Sequence, residues 1–181
     1  RKLKNLERYL QSQLKVENEW LSVERFEGTF LYKPPMMVTA LFLIEHSYSH
    51  FLHEGLTWRH VLDWMMFSRK HKNEIDWRLL DTLIDEFGFR KFYDSYYCLG
   101  RFLLGEIPED ELSVRDKKML ADVWAPLDLH ETLHGIKGKL YLVGNTLRAW
   151  WKYYYYSEIS MFHALWIQVY GFLFIKNPSL D

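Results

Sequence analysis

The sequence predicts a mostly α-helical single domain: a bundle of about six to seven helices, with a short β-hairpin near residues 22–33. Three observations carry this expectation. Apolar residues recur every three to four positions along nearly the whole chain, the repeat of one helix face. Helix-starting and helix-ending residues punctuate that repeat at helix-length intervals. Gly (9) and Pro (5) are too few among 181 residues for the many tight turns of a β-sandwich.

Taken in order, Leu3, Leu6, Leu10 and Leu14 form one apolar stripe among Lys, Glu, Arg and Gln, and predict an opening helix. Residues 22–33 place Phe and Tyr on either side of Glu27-Gly28, a turn pair for a hairpin. Pro34-Pro35 ends that hairpin and suits a helix start, so an apolar helix follows over 36–53 and stops at Gly55. Thr57 caps the next helix, which runs to about Lys70. Asp76 caps another, with Leu79, Leu80, Leu83, Ile84 and Phe87 as its apolar stripe and Gly88 as its terminator. A helix from Phe89 to about Leu104 turns Phe92, Tyr93, Tyr96, Leu99 and Leu103 to one side. Ser113 and Asp116 form a capping box that opens a helix to Trp124, which Pro126 breaks. Long helices are expected over 133–156 and 158–176. The chain thus divides into residues 1–33, a helical core over 34–125, and aromatic, basic helices over 126–181 packed on that core.

Composition narrows the function. The net charge is -1, so no overall basic field draws the chain to nucleic acid. A lone cysteine, Cys98, excludes an internal disulfide framework and fits a reducing compartment, the cytoplasm. The charged N-terminus has no apolar run of a secretory signal. The longest apolar stretch, Met161 to Ile175, falls short of the roughly 20 residues that span a bilayer. The chain opens on Arg1 rather than Met, as expected for a piece of a longer protein.

The densest chemistry lies in Glu45-His46-Ser47-Tyr48-Ser49-His50-Phe51-Leu52-His53. On a helix, His50 lies about 40° to one side of His46 and His53 about 20° to the other. Met37, Leu41, Ile44, Tyr48 and Phe51 occupy the opposite face. Three readings fit such a stripe. His46 and His50, four apart, can share one metal ion if a third ligand joins them, with Asp63 as the candidate. The histidines can instead pack helix on helix, hydrogen-bonded. They can also wall a substrate cleft. On the following helix Arg59 and Asp63 are four apart. Asp63 sits between Leu62 and Trp64, where a buried carboxylate requires a partner, with Arg59, His60 or the stripe available.

The run His46-x-x-x-His50-Phe51-x-x-Glu54-Gly55-Leu56-Thr57-Trp58-Arg59-x-x-x-Asp63-Trp64 resembles the core signature of the uncharacterised nucleotidyltransferase family, within the DNA polymerase β-like nucleotidyltransferase superfamily. Thr57 and Trp58 replace a usual Gly and Leu. The aromatic, basic stretch from Asn145 through Trp166 is similar to the end of these proteins, and the likeness covers about residues 30–175. The resemblance implies that a catalytic sheet domain precedes this region in the same protein. That domain carries a Gly-Ser turn and paired carboxylates that hold Mg²⁺ and a nucleoside triphosphate. This chain has no Gly-Ser pair and no Asp-x-Asp, the nearest run being Glu109-Asp110-Glu111. It is therefore expected to be the C-terminal, substrate-side helical domain, inactive alone and without a cofactor or resident metal of its own. His46, His50, Arg59 and Asp63 would face a nucleotide or small-molecule acceptor, with His53, Glu54 and His60 as secondary candidates.

Two other classes compete. Between Glu131 and Glu158 the chain holds Lys137, Lys139, Arg148 and Lys152 among Trp150, Trp151 and Tyr153–Tyr156, with no acidic residue. Such a segment can dock a partner or a membrane surface, or it can pack aromatics into the core with its cations as a solvated rim. A metal-dependent enzyme built on the histidine stripe is the remaining class.

Overall fold

A computed structural model describes residues 2–15, 23–26, 29–32, 34–53, 55–125, 144, 147–157, 160, 162–163 and 166. Among these, seven α-helices and one two-stranded antiparallel ribbon form, as the periodicity predicts. They are α1 (Lys2–Lys15), β1 (Val23–Phe26), β2 (Thr29–Tyr32), α2 (Met36–His53), α3 (Trp58–Lys70), α4 (Trp77–Phe87), α5 (Arg90–Leu103), α6 (Val114–Trp124) and α7 (Trp150–Tyr156). The ribbon pairs Val23 with Tyr32 and Phe26 with Thr29. Its expected Glu27-Gly28 turn lies outside the described residues. So do most of the helix expected over 133–156 and nearly all of that over 158–176.

The helix ends follow local chemistry. Thr57 Oγ1 accepts from the His60 backbone N–H while His60 Nδ1 accepts from the Thr57 N–H, a capping box with histidine where Glu or Gln is usual. Asp76 accepts from the N–H groups of Arg78 and Leu79 at the start of α4. Ser113 and Asp116 cap α6 reciprocally. Gly88 ends α4 at φ 80°, a left-handed conformation that disfavours any Cβ. Gly55 closes α2 by donating to His50 O at 2.8 Å.

α2 and α5 run through the core. Leu41, Ile44, Tyr48 and Phe51 of α2 are buried, as their face predicts, and meet Phe92, Tyr96 and Leu99 of α5. Tyr48 sets its ring 5.2 Å from those of both Phe89 and Phe92, and Phe51 contacts Phe92 at 5.5 Å. Such tilted and edge contacts suit the ring quadrupole. α1 lies on α4 through Leu6, Leu10 and the Tyr9–Phe87 pair.

Two sequence expectations need correction. Leu79 belongs to the apolar period of α4 but is 40% exposed, because Leu80, Leu83, Ile84 and Phe87 already fill the contact with the core. Lys152 is not a solvated rim cation. Its side chain is 6% exposed and its ammonium forms a 2.6 Å ion pair with Asp122 of α6. It also donates to the Phe51 carbonyl at 2.8 Å and lies 4.8 Å from the Phe51 ring centre. α7 can bury this lysine because its neighbours supply an anion, a carbonyl and an aromatic face together. The aromatics of α7 divide: Tyr153 and Tyr156 are buried, Trp150 and Tyr154 exposed.

Candidate functional site

The site is built on the corner between α2 and α3. The first turn of α3 lies beside the last two turns of α2. His60 thereby joins His46 and His50, two residues already on one face by their spacing of four. The His46 and His50 ring centres are 4.4 Å apart, those of His50 and His60 4.7 Å, and those of His46 and His60 5.9 Å. The His50 and His60 rings stack, with 24° between their planes. One ring nitrogen from each of the three lies within 4.8 Å of the others. All three histidines are half-buried.

The corner is held from beneath. The Tyr96 hydroxyl of α5 donates to the carbonyl of His60 and shares a 2.9 Å hydrogen bond with Ser47, which follows His46. One buried hydroxyl thus ties α2 to α3 next to two of the three imidazoles. Asp122 of α6 accepts from the Leu56 N–H of the linker at 3.1 Å while holding Lys152. Thr57 orients the His60 ring through Nδ1, with N–H and Oγ1 at 3.2 and 3.0 Å.

Burial pushes the His60 imidazole below its ordinary range, and the neighbouring His50 and His46 push it the same way. Asp63 opposes them. Burial raises the Glu45 carboxyl, against the opposite pull of His46 and His50. The shift favours the neutral imidazole, whose one lone pair Nδ1 gives to the Thr57 N–H in this structure.

The other candidates fall into place differently. His53 is exposed, with Nδ1 3.5 Å from the Tyr153 hydroxyl, and lies outside the group of three. Glu54 lies outside the described residues. Arg59 and Asp63 do approach each other, at 3.8 Å, but on the surface, with side chains 85% and 59% exposed. α3 buries Val61, Trp64 and Met65 and turns Arg59, Asp63 and Met66 outward. Asp63 therefore needs no buried partner, and it does not join the imidazoles as their third member; His60 takes that place. Asp63→Asn is expected to change folding stability by less than about 1 kcal/mol, the range of exposed ion pairs. Urea denaturation of the variant beside the parent chain measures it, and a loss near 3 kcal/mol would mean the carboxylate is buried in solution.

A separate cavity of about 320 Å³ opens among Met65, Arg69, Lys72, Trp77 and Tyr97, and no candidate residue lines it. Compared with models of known families, with curated proteins and with solved structures, the chain matches none. Among the described residues, no helix is long and apolar enough to cross a membrane.

Sequence reasoning set His60 second to His46 and His50 and missed Tyr96, Ser47, Asp122 and Lys152. Each of these acts across a sequence gap that no local pattern spans. Thr57-x-x-His60, a capping box with an unusual last member, was the one available signal that the His60 ring is held in place.

Proposed function

We propose that this chain is the substrate-side helical domain of a nucleotidyltransferase-like protein, cytoplasmic, and inactive alone. The observation that carries this reading is the outward placement of Arg59 and Asp63 on the α2–α3 corner, beside three half-exposed imidazoles. His46, His50, Arg59 and Asp63 of the resemblance are thus gathered at one accessible place, while Phe51, Leu56 and Trp64 of the same run pack the core beneath them. A guanidinium that is 85% exposed is open to a phosphate group, which it can meet with two parallel hydrogen bonds. Asp63 would orient a hydroxyl or amine acceptor by accepting its proton in a hydrogen bond, with the imidazoles facing the same acceptor. The paired carboxylates and Mg²⁺ of phosphoryl-type transfer would come from the preceding sheet domain. The single cysteine, Cys98, supports a reducing compartment.

The test has two arms. With Mg²⁺ and each nucleoside triphosphate, the 181-residue chain is expected to transfer no label to any acceptor. In a binding titration with inorganic triphosphate, the parent chain is expected to bind and Arg59→Ala to bind at least about tenfold more weakly, the loss of one charge-assisted pair. Label transfer by this chain alone, or triphosphate binding indifferent to Arg59, would overturn the reading.

A further inference from the structure

α2 and α3 place three imidazoles where one ion can reach all of them. We propose that His46, His50 and His60 form a binding site for a single divalent transition-metal ion, zinc being the best match, with a fourth position open to water or a ligand.

The geometry is the first support. A tetrahedral zinc ion with Zn–N distances of about 2.0–2.1 Å holds its nitrogen ligands about 3.3 Å apart. The three ring nitrogens here already lie within 4.8 Å of one another. Rotation of the half-buried His46 and His50 rings toward His60, which Thr57 holds, would close the remaining gap. The ligand set is the second support. Two histidines four apart on α2 and a third from the first turn of α3 give three imidazoles. Imidazole favours zinc, copper and nickel over magnesium and calcium, which prefer oxygen. Three histidines and an open position make the arrangement of catalytic rather than closed structural zinc sites.

The surrounding contacts are those a metal site needs. His60 Nδ1 is taken up by Thr57, which leaves Nε2 for the ion. With the ion on Nε2 the ring's proton moves to Nδ1, which gives up the bond it accepts from the Thr57 N–H and donates instead to Thr57 Oγ1, 3.0 Å away. Tyr96 fixes the separation of the two helices by holding Ser47 and the His60 carbonyl. Zinc at this corner requires neither a nucleotide nor a preceding domain, so it is tested separately from nucleotidyl transfer.

The experiment uses the 181-residue chain after chelator treatment, titrated with Zn²⁺ alone in competition with a chromophoric chelator. Co²⁺ replaces zinc in a parallel sample to report coordination by its visible spectrum. One equivalent of zinc is expected to bind, and Co²⁺ to give the intense absorption of a four-coordinate site. His46→Ala and His60→Ala are each expected to weaken zinc binding by roughly 100-fold or more, beyond what loss of an outer-shell contact costs. His53→Ala, outside the group of three, is expected to bind as the parent does. His46 takes no part in the α3 cap, so His46→Ala keeps the test decisive if His60→Ala folds poorly; circular dichroism confirms the fold of each variant. Failure to bind one equivalent, or binding that survives His46→Ala in a folded chain, would overturn the proposal. So would loss of binding in His53→Ala.

Discussion

Asp122→Asn is expected to lower folding stability by about 3 kcal/mol, the cost of removing one member of a buried ion pair. The substitution keeps the shape and an acceptor for the Leu56 N–H, and replaces the charged oxygen facing Lys152 with an amide NH2. Lys152 then stays buried, held by the Phe51 carbonyl and ring alone. Burial already pushes the Lys152 ammonium below its ordinary range, with Asp122 as the opposing influence. This sets the pH dependence. A lysine whose folded-state pKa is lowered penalises the fold fully at low pH, and the penalty fades as pH rises from that lowered value toward the unfolded value of about 10.5. The deficit of Asp122→Asn should therefore shrink on the alkaline side and persist at neutral pH. Lys152→Met should cost less, because the apolar stem still fills the site and Asp122, 16% exposed, can be hydrated. Urea denaturation of the three chains from pH 7 to pH 10 measures this. A deficit for Asp122→Asn below about 1 kcal/mol at pH 7 would mean that the pair is solvated in solution.

Phe51→Ala is expected to cost about 4 kcal/mol, within the range for emptying a buried phenyl site. Phe51 is completely buried. Its ring centre lies 5.5 Å from that of Phe92 on α5, and 5.7 and 5.1 Å from those of Trp151 and Tyr156 on α7, so two helices lose contact with it together. Lys152 also loses the aromatic face under its ammonium. Phe51→Leu retains most of the volume and should cost roughly 1–1.5 kcal/mol. Because Phe51 lies one residue beyond His50, Phe51→Ala should also raise amide exchange at the α2 C-terminus more than in α4. Denaturant midpoints and hydrogen exchange check both, and a loss under about 1.5 kcal/mol for Phe51→Ala would show that the aromatic cluster rearranges to fill the space.

Much of the bundle was legible because its determinants are local. The aliphatic face of α2, the caps at Thr57, Asp76 and Ser113 and the stop at Gly88 each depend on residues within one or two helical turns. Leu79 shows the limit: its period marks it as apolar-facing, but how wide a stripe α4 buries depends on the width of its neighbours. The candidate site was legible in part. The shared face of His46 and His50 follows from their spacing, whereas His60 joins them only once α3 packs beside α2. Asp63 illustrates the converse error. Between Leu62 and Trp64 it reads as enclosed, yet helical rotation carries it to the outer face with Arg59 and Met66.

By itself, then, the sequence determined the helical class, most helix boundaries among the described residues, and the histidine pair on α2, since each is written in contacts between residues a few positions apart. Tertiary structure alone decided that Lys152 is buried against Asp122, that Tyr96 ties α2 to α3, and that His60 completes the imidazole group. Those contacts bridge 30, 36 and 10 positions or more of chain (152 to 122, 96 to 60, 60 to 50). They form because packing the apolar faces of α2, α3, α5, α6 and α7 against one another brings Lys152 to Asp122 and the Tyr96 hydroxyl to Ser47 and the His60 carbonyl, where charge and hydrogen bond are met.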